Sequence, residues 1–392
     1  MHKIILAAIT AALAVLITAA TPAMAQQKIK IGFISTFSGP QGVMGNFMKE
    51  SVELALEHLG GKVGGLPVEM FYGDDQLKPD VGVQVAEEML KKHQVDFVSG
   101  IIWSNVMMAV QPVVNGNGKI MVGANAGASP LAGSQCNELY FSTSWNNDQT
   151  PEAMGKFLQD SGVNDIYVMA PNYQAGKDMV SGLKRYYKGR IVEEVYTKLG
   201  QQDYQAEITQ MRSKNPKAVF AFYPGGMGIQ FLRQYDQAGL RGKLPLYTVY
   251  TVDEISIPAV KDAAVGIKEA RFWSPDLKNA ASEKYVADYK KKYGKLPVFY
   301  GAQSYDAIML IDSAVKATKG NLKDSKALAL AMRKANYPSI RGPFQFNVNH
   351  HPIQNFYLLK AVKGASDVEM QIQKTVFENH KDSYYQDCPM KW

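Results

Sequence analysis

Short apolar runs alternate with helical stretches along most of this chain, and the alternation occurs twice. The runs before residue 145 predict strands at Lys28–Ser35, Pro67–Tyr72, Phe97–Ile101, Ile120–Gly123 and Tyr140–Thr143. The runs that follow predict strands at Asp165–Ala170, Arg190–Tyr196, Ala218–Tyr223, Pro245–Val249 and Ile267–Phe272. Short apolar strands separated by helices are typical of parallel sheets buried on both faces. The pattern therefore predicts an α/β fold with two sheets.

Helical spacing of apolar residues predicts helices between these strands, for example at Gly45–Leu59 and Pro79–His93. After residue 275 the pattern becomes mainly helical, with predicted helices at Glu283–Tyr293, Ala302–Thr318 and Ser325–Ala335. A last pair of strands is predicted at Gly342–Val348 and Ile353–Ala361. The turn between them carries His350 and His351, and we interpret this doublet as a solvated turn rather than a metal site.

The N-terminus has the pattern of a signal peptide over residues 1–25. Lys3 is followed by an apolar run from Ile4 to Ala20, and small residues at Ala23 and Ala25 suit a cleavage site. An N-terminal membrane anchor is the alternative, but the apolar run is short for a membrane span. We expect cleavage after Ala25 and a mature chain, residues 26–392, that works in the periplasm.

Charge and cysteine content exclude some functions. The net charge is +7, but the basic residues are dispersed, and Lys290–Lys292 is the longest run, so we expect no nucleic-acid partner. The chain has two cysteines, Cys136 and Cys388, too far apart for a zinc signature. In an oxidising compartment they predict a disulfide.

The loops after the predicted strands contain the candidate binding residues. In parallel sheets, ligands bind beyond the carboxyl ends of the strands. Gly-rich or polar loops follow there at Ser35–Gly42, Gly100–Asn105 and Ala124–Pro130. Ser104 stands at the start of a predicted helix, where backbone N–H groups suit a carboxylate; capping that helix is its alternative role. Aromatic residues cluster at the strand ends and predict an apolar pocket: Phe37, Trp103, Tyr173, Tyr223, Tyr250 and Trp273.

Catalytic and phosphate-binding motifs are missing from the sequence. It has no GxSxG, HExxH, SxxK or GxxxxGK[ST] pattern, and its closest acidic pairs, Asp74–Asp75 and Asp253–Glu254, fall in predicted turns. We therefore expect a protein that is not an enzyme and uses neither a cofactor nor a metal.

The chain from residue 26 onward resembles the leucine/isoleucine/valine-binding type of periplasmic solute receptor for ABC transporters. The matching stretches are Ile29–Gly45, Asp74–Asp75, Val98–Val110, Met121–Pro130, Pro171–Gly176, Pro224–Gly239 and Tyr300–Ala307. The resemblance implies the type I fold, in which two Rossmann-like lobes are joined by a three-segment hinge. Lobe one is expected at residues 26–145 plus 275–347, and lobe two at residues 146–274 plus 348–392.

The resemblance also implies a site for a carboxylate ligand. Ser104 and the backbone N–H groups of Ala126 and Ala128 correspond to the family's carboxylate clamp, and Tyr173 to a ligand-holding Tyr of lobe two. The family's acidic partner for an ammonium group falls by register on Tyr250 or Thr251, neither of which is acidic. A buried ammonium without a counter-charge is costly.

The chain keeps the family's carboxylate clamp but lacks the acidic partner of an ammonium group. Together with the aromatic residues at the strand ends, this predicts a ligand that is an aromatic carboxylate of the cinnamate, coumarate or benzoate type. Trp103 would set the plane of the ring, and Tyr250, Asn125 or Gln303 would read a ring hydroxyl. The expected partners are the permease subunits of an ABC importer. A receptor for branched-chain amino acids or aliphatic amides, using Asp253 or Glu254, remains an alternative, as do a periplasmic enzyme and a sensor module.

Overall fold

The computed structural model describes residues 27–365 and 367–391, so the predicted signal peptide lies outside the described residues. The chain forms two sheets. The strands of the first sheet are β1 (Ile29–Ser35), β2 (Lys62–Val63), β3 (Leu66–Asp74), β4 (Phe97–Gly100), β5 (Ile120–Gly123) and β6 (Tyr140–Ser142). They lie in the order β2-β3-β1-β4-β5-β6, and all pair in parallel except β2 with β3.

The second sheet has eight strands and a mixed topology. Its strands are β7 (Asp165–Pro171), β8 (Arg190–Thr197), β9 (Val219–Ala221), β10 (Leu246–Val249), β11 (Lys268–Arg271), β12 (Gln345–Phe346), β13 (Pro352–Lys363) and β14 (Val368–His380). Strands β7 to β11 pair in parallel, whereas β13 is antiparallel to β11, β12 and β14. The carboxyl ends of the parallel strands therefore share one edge of each sheet.

Helices cover both sheets. They are α1 (Gly42–His58), α2 (Pro79–Glu88), α3 (Ser104–Gly116), α4 (Ser129–Ala132), α5 (Gln149–Asp160), α6 (Gln174–Tyr186), α7 (Gln205–Ser213), α8 (Gly226–Gln237), α9 (Ile257–Val260), α10 (Ala280–Tyr293), α11 (Phe299–Ala317) and α12 (Ser325–Arg333). Although α10, α11 and α12 come late in the chain, α11 packs on α1, and Tyr285 of α10 is hydrogen-bonded to Ser51 of α1. We call the first sheet with α1–α4 and α10–α12 lobe one, and the second sheet with α5–α9 lobe two.

The sequence pattern locates the parallel strands well and the final antiparallel segment poorly. Every strand predicted before residue 275 overlaps an observed strand, because a strand buried on both faces is a conspicuous apolar run. The strand predicted at Gly342–Val348 shrinks to β12, which pairs with lobe two. Strand β14 was not predicted, since its outer face is exposed and polar. The lobe boundaries at residues 145, 275 and 347 stay a prediction.

The prediction of a solvated turn at His350 and His351 is wrong. Both side chains are fully buried, and His350 stacks on Phe141 with ring centroids 4.0 Å apart. Its Nδ1 also lies 3.0 Å from the carbonyl oxygen of Tyr140. Burial lowers the pKa of both imidazoles. Across residues 27–365 and 367–391, no group of three or more His, Cys, Asp or Glu is placed to hold a metal ion.

The predicted disulfide is confirmed. Cys136, in the loop after α4, is bonded to Cys388 in the C-terminal tail, with the Cα atoms 5.7 Å apart across a sequence separation of 252 residues. The tail is held further by Asp382, whose carboxylate accepts a hydrogen bond of 3.0 Å from Asn349. None of the helices in the described part of the chain is both long and apolar enough to span a bilayer.

Candidate functional site

A small cavity lies at the carboxyl edges of the two sheets, between the lobes. Only about 20 Å³ of it is open to the centre of a water-sized sphere, so with the lobes as they lie here it has room for little more than a water molecule, and a larger ligand requires the lobes to move apart. Its walls are formed by Ile102, Trp103, Ser104, Asn125, Trp145, Asn147, Tyr173, Ala175, Met179, Phe222, Pro224, Tyr250 and Tyr300. Most of these residues follow a parallel strand directly, as expected for an α/β ligand site.

Six of the thirteen residues in the cavity wall are aromatic. Trp145 stacks on Tyr250 with ring centroids 4.4 Å apart and an interplanar angle of 20°. Tyr173 lies nearly parallel to Phe222 at 6.4 Å and meets Trp103 edge-on at 6.1 Å. A cavity bounded by such rings suits a flat, apolar ligand, because aromatic groups favour stacked and edge-to-face contacts.

Ser104 supplies a hydroxyl group to the cavity at the first residue of α3. Its Oγ accepts a hydrogen bond of 3.0 Å from Asn147 Nδ2, which leaves the hydroxyl hydrogen available to a ligand. The capping role considered from the sequence is not seen, since Ser104 bonds Asn147 rather than its own helix. The start of α3 adds backbone N–H groups and the positive end of a helix dipole. This corner of the cavity therefore suits an anion.

The loop after β5 supplies less to this corner than the resemblance implies. The N–H of Ala126 donates a 3.0 Å hydrogen bond to the carbonyl oxygen of Ile101, so it is not offered to a ligand. Ala128 precedes α4 and is fully buried, and neither alanine belongs to the cavity wall. The Ala126 N–H is therefore not available as the resemblance implies, whereas the roles of Ala128 and Ser104 stay predictions.

Trp103 is oriented by a hydrogen-bonded chain within lobe one. Its indole Nε1 donates to Thr36 Oγ1 at 2.7 Å, and Thr36 Oγ1 donates to Asp75 Oδ1 at 2.5 Å. All three side chains are buried, and burial raises the pKa of the Asp75 carboxyl. The indole plane is fixed by these bonds rather than by packing alone.

Two predicted wall residues of the cavity lie elsewhere. Phe37 packs edge-on against Tyr72 at 6.2 Å, away from the cavity. Trp273 donates from Nε1 to Ser282 Oγ at 3.0 Å and contacts Tyr285, so it belongs to the packing around α10. Each aromatic residue follows a strand, but its side chain points into the body of its lobe.

Tyr223 is also displaced from the predicted position, and Phe222 takes its place in the wall. The Tyr223 hydroxyl accepts a 3.2 Å hydrogen bond from Thr197, and its ring contacts Tyr204 at 4.7 Å. Adjacent side chains of an extended segment point to opposite sides, so only one of the pair can face the cavity. The prediction identified the right strand end and the wrong residue.

Most polar atoms of the groups predicted to read a ring hydroxyl are already hydrogen-bonded within the protein; Gln303 Oε1 is the exception among them, being buried without a partner in the described structure. The Tyr250 hydroxyl is bonded to Thr150, and Asn125 donates to Ile102 at 2.8 Å. Gln303 Nε2 donates to Asn125 Oδ1 at 2.6 Å, which places Gln303 behind the cavity wall. Tyr250 and Asn125 line the cavity, but the Tyr250 hydroxyl and both polar atoms of the Asn125 amide already make hydrogen bonds within the protein.

Sequence reasoning missed several residues of the wall. Trp145 and Asn147 lie in the connection between lobes, beyond the end of β6, and Tyr300 lies in the first turn of α11. Trp145 and Asn147 do follow a parallel strand, but the loop after β6 was not among those predicted to bind the ligand, and Tyr300 follows no strand. Tyr300 opens the Tyr300–Ala307 segment that carries part of the family resemblance, and that signal could have identified it.

The cavity wall contains no charged side chain among the residues described. Glu254 is paired with Arg271 at 3.1 Å, and Asp253 Oδ1 accepts hydrogen bonds from the backbone N–H groups of Ile255 and Ser256. Burial raises the pKa of Asp253 to about 7. Neither acidic residue proposed for the amino-acid alternative therefore lines the cavity.

A larger groove lies outside this cavity, with about 1390 Å³ of empty space that is partly continuous with solvent. It runs along the start of β14 and includes Pro258, Lys295 and Met370. We place the functional site at the smaller cavity, because its wall is built from loops at the carboxyl edges of both sheets.

Solved structures similar to this chain include two solute-binding proteins of ABC transporters. One, from R. palustris and in complex with benzoate, is 28% identical, with a TM-score of 0.88 over 93% of this chain and 100% of that chain. The other, from Rhodopseudomonas palustris BisB5 and in complex with 3,4-dihydroxybenzoic acid, is 25% identical, with a TM-score of 0.86 over 91% and 99%.

Relatives and a family model agree with the structural likeness. The Leu/Ile/Val-binding protein homolog 6 of Brucella melitensis is 26% identical over 381 residues, which cover 95% of this chain and 97% of the relative. The periplasmic binding protein family model matches residues 28–366. This match and the two α/β lobes confirm the type I fold expected from the resemblance. The chain belongs to the periplasmic binding protein family.

Proposed function

We propose that this protein is an extracytoplasmic receptor that binds an aromatic carboxylate between its two lobes and delivers it to the permease subunits of an ABC importer. The ligand class is a benzoate or a cinnamate such as coumarate. The observation that carries the proposal is the cavity itself: aromatic rings enclose it, an anion-binding corner opens at Ser104, and the described wall holds no acidic side chain.

The carboxylate of the ligand lies at the start of α3. Ser104 donates its hydroxyl hydrogen, because Asn147 already donates to the Ser104 oxygen. The N–H groups of the first turn of α3 and the helix dipole add to the attraction for an anion. These neutral donors make a carboxylate preferable to a neutral polar group.

The ring of the ligand lies among Trp103, Tyr173 and Tyr250, with Trp145 stacked behind Tyr250. Enclosing one ring removes on the order of 150 Å² of apolar surface from water, worth about 4 kcal/mol at about 25 cal/mol per Å². Part of that gain is lost in ordering the ligand and closing the lobes. The hydrogen bonds to the carboxylate supply the remaining affinity.

A receptor for leucine-like amino acids is the second candidate, because the Brucella relative is named a Leu/Ile/Val-binding protein homolog. Such a ligand brings an ammonium group. Glu254 is paired with Arg271, and Asp253 Oδ1 accepts two backbone N–H bonds while its Oδ2 has no partner among the described residues; neither side chain lines the cavity. An unpaired buried ammonium would cost several kcal/mol, which disfavours this candidate.

Titration of ligand-free protein separates the two candidates. We expect benzoate, coumarate or a close analogue to change tryptophan fluorescence at low-micromolar concentration or below, because Trp103 and Trp145 are part of the wall. Leucine should produce no response. Tight leucine binding without a response to any aromatic acid would overturn the proposal. Native mass spectrometry of freshly purified protein would weigh any ligand that co-purifies.

Two other hypotheses, a periplasmic enzyme and a sensor module, are tested by separate measurements. Release of chemically changed ligand after prolonged incubation would indicate an enzyme instead of a receptor. Ligand-dependent stimulation of ATP hydrolysis by a reconstituted importer would support delivery to permease subunits. Stimulation of a membrane kinase without transport would instead indicate a sensor.

A further inference from the structure

Tyr300 lines the cavity and carries a hydroxyl group without a hydrogen-bond partner among the described residues. It lies in the first turn of α11, only 2% of its surface is exposed, and it belongs to the cavity wall. Its hydroxyl oxygen is buried and has no hydrogen-bond partner in the described part of the protein. Buried polar groups are nearly always hydrogen-bonded, so an orphan hydroxyl at a ligand cavity indicates a partner supplied by the ligand.

The other polar groups near the ring are less available than Tyr300. The Tyr250 hydroxyl is bonded to Thr150, and the Asn125 side chain bonds both Ile102 and Gln303. A ligand hydroxyl that reached these groups would compete with bonds the protein already makes. At Tyr300 it would satisfy an atom that otherwise has no partner.

A buried carboxyl group influences the Tyr300 hydroxyl. Asp253 is 1% exposed, and its Oδ2 is likewise buried without a hydrogen-bond partner in the described structure. Burial, and then the charge of Asp253, raise the pKa of Tyr300. The Tyr300 hydroxyl therefore stays protonated and can both donate to and accept from a ligand.

We propose that Tyr300 reads a hydroxyl group on the ring of the ligand, so that the preferred ligand is a hydroxylated aromatic acid rather than its unsubstituted parent. This inference rests on the proposed function and specifies its ligand class. An unsubstituted ring would place C–H groups against the Tyr300 hydroxyl and leave that hydroxyl without a hydrogen-bond partner. A site that hydrogen-bonds a ligand hydroxyl discriminates against the analogue that lacks it.

The test compares parent and hydroxylated acids on three proteins by calorimetry. The ligands are benzoate with its monohydroxy isomers, and cinnamate with its monohydroxy isomers, including coumarate. The proteins are the wild type, Tyr300→Phe and Tyr187→Phe. Tyr187 is the matched control, because its hydroxyl is also buried and unpartnered but does not line the cavity. Melting curves check that each variant is folded.

In the wild type and in Tyr187→Phe, at least one hydroxylated isomer should bind about tenfold or more tightly than its parent. Tyr300→Phe should remove that preference, weakening the hydroxylated acid while leaving the parent equal or tighter. Equal affinities for parent and hydroxylated acids in the wild type, or a preference that survives Tyr300→Phe, would overturn the inference and leave the proposed function standing. If no aromatic acid binds the wild type, the proposed function itself fails.

Discussion

The indole of Trp103 donates a 2.7 Å hydrogen bond to Thr36 Oγ1, and this contact orients the aromatic residue next to Ser104. Thr36 Oγ1 in turn donates a hydrogen bond to the buried carboxyl group of Asp75, so Asp75 helps to hold the plane of the Trp103 indole. Trp103 follows β4 and Thr36 follows β1, the neighbouring strand. The sheet thus brings together residues that are 67 positions apart in the chain.

We expect Thr36→Val to weaken binding of an aromatic acid by about tenfold, because it keeps the side-chain shape and removes both hydrogen bonds. The Trp103 N–H would then lack a partner, and Asp75 Oδ1 would keep only the bond from the Leu77 N–H, which should lower the free energy of unfolding by about 1–3 kcal/mol. Thr197→Val is the matched control, since Thr197 bonds Tyr223 away from the cavity. It should lose stability and keep the affinity; calorimetry and urea unfolding measure the two effects.

Ser104→Ala tests the carboxylate corner. The variant loses one hydrogen bond to a charged group, about 1.5–3 kcal/mol, which corresponds to roughly a 10- to 150-fold loss of affinity. Its free energy of unfolding should fall by only about 1 kcal/mol, because Asn147 Nδ2 loses one acceptor but keeps the bond to Asp178. A variant that loses stability and keeps its affinity would show that Ser104 is structural. Calorimetry beside a melting curve distinguishes these results.

Asp178 of α6 links the two lobes beside the cavity. Its carboxylate accepts hydrogen bonds from the Ser129 hydroxyl at 2.7 Å and from Asn147 Nδ2 at 2.9 Å. The Ser129 backbone N–H adds a third bond at 3.1 Å. Because Ser129 belongs to lobe one and Asp178 to lobe two, these bonds stabilise the closed arrangement of the lobes.

We therefore expect Asp178→Ala to reduce the affinity for every ligand by a similar factor, on the order of 10-fold or more, without changing the preference among them. In the presence of ligand, the variant should also have a larger radius of gyration by small-angle scattering than the wild type, because its lobes are held closed less firmly. A selective loss for one ligand would indicate that Asp178 contacts the ligand directly instead of holding the lobes together.

Much of the fold and part of the site could be predicted from the sequence, for identifiable reasons. Parallel strands are buried on both faces, so each appears as an apolar run, and the loop that follows it contains the site. Trp103, Ser104 and Tyr173 were found in this way. Phe222 was missed because the loop pattern does not reveal which of two adjacent aromatic side chains faces the cavity.

The remaining site residues depend on long-range packing. Trp145 and Asn147 reach the cavity from the connection between the lobes, and Tyr300 reaches it from a helix that packs on α1. The Ala126 N–H is withdrawn by a bond to Ile101 that no local pattern predicts. These relationships are set by how the elements are arranged in space, so the chain order alone does not contain them.

The burial of His350 makes the protein sensitive to acid. Burial lowers the pKa of its imidazole from 6.5 to about 3. Between these values the unfolded chain binds a proton that the folded protein does not, so the stability contributed by the neutral imidazole is lost as pH falls. One such histidine contributes a slope of about 1.4 kcal/mol per pH unit.

His350→Asn isolates this effect. His350 has a φ of 60°, a left-handed conformation that Asn tolerates well, although the variant loses the stacking on Phe141. The variant should therefore be less stable than the wild type near neutral pH. The variant lacks the titrating imidazole, so only the wild type loses this stability in acid. The difference in free energy of unfolding between wild type and variant should therefore shrink by about 1.4 kcal/mol as pH falls from about 6 to about 5.

His351 and the carboxyl groups are common to both proteins and cancel in the difference. Urea unfolding at several pH values measures this deficit, and a deficit that stays constant with pH would mean that His350 is protonated in the folded protein.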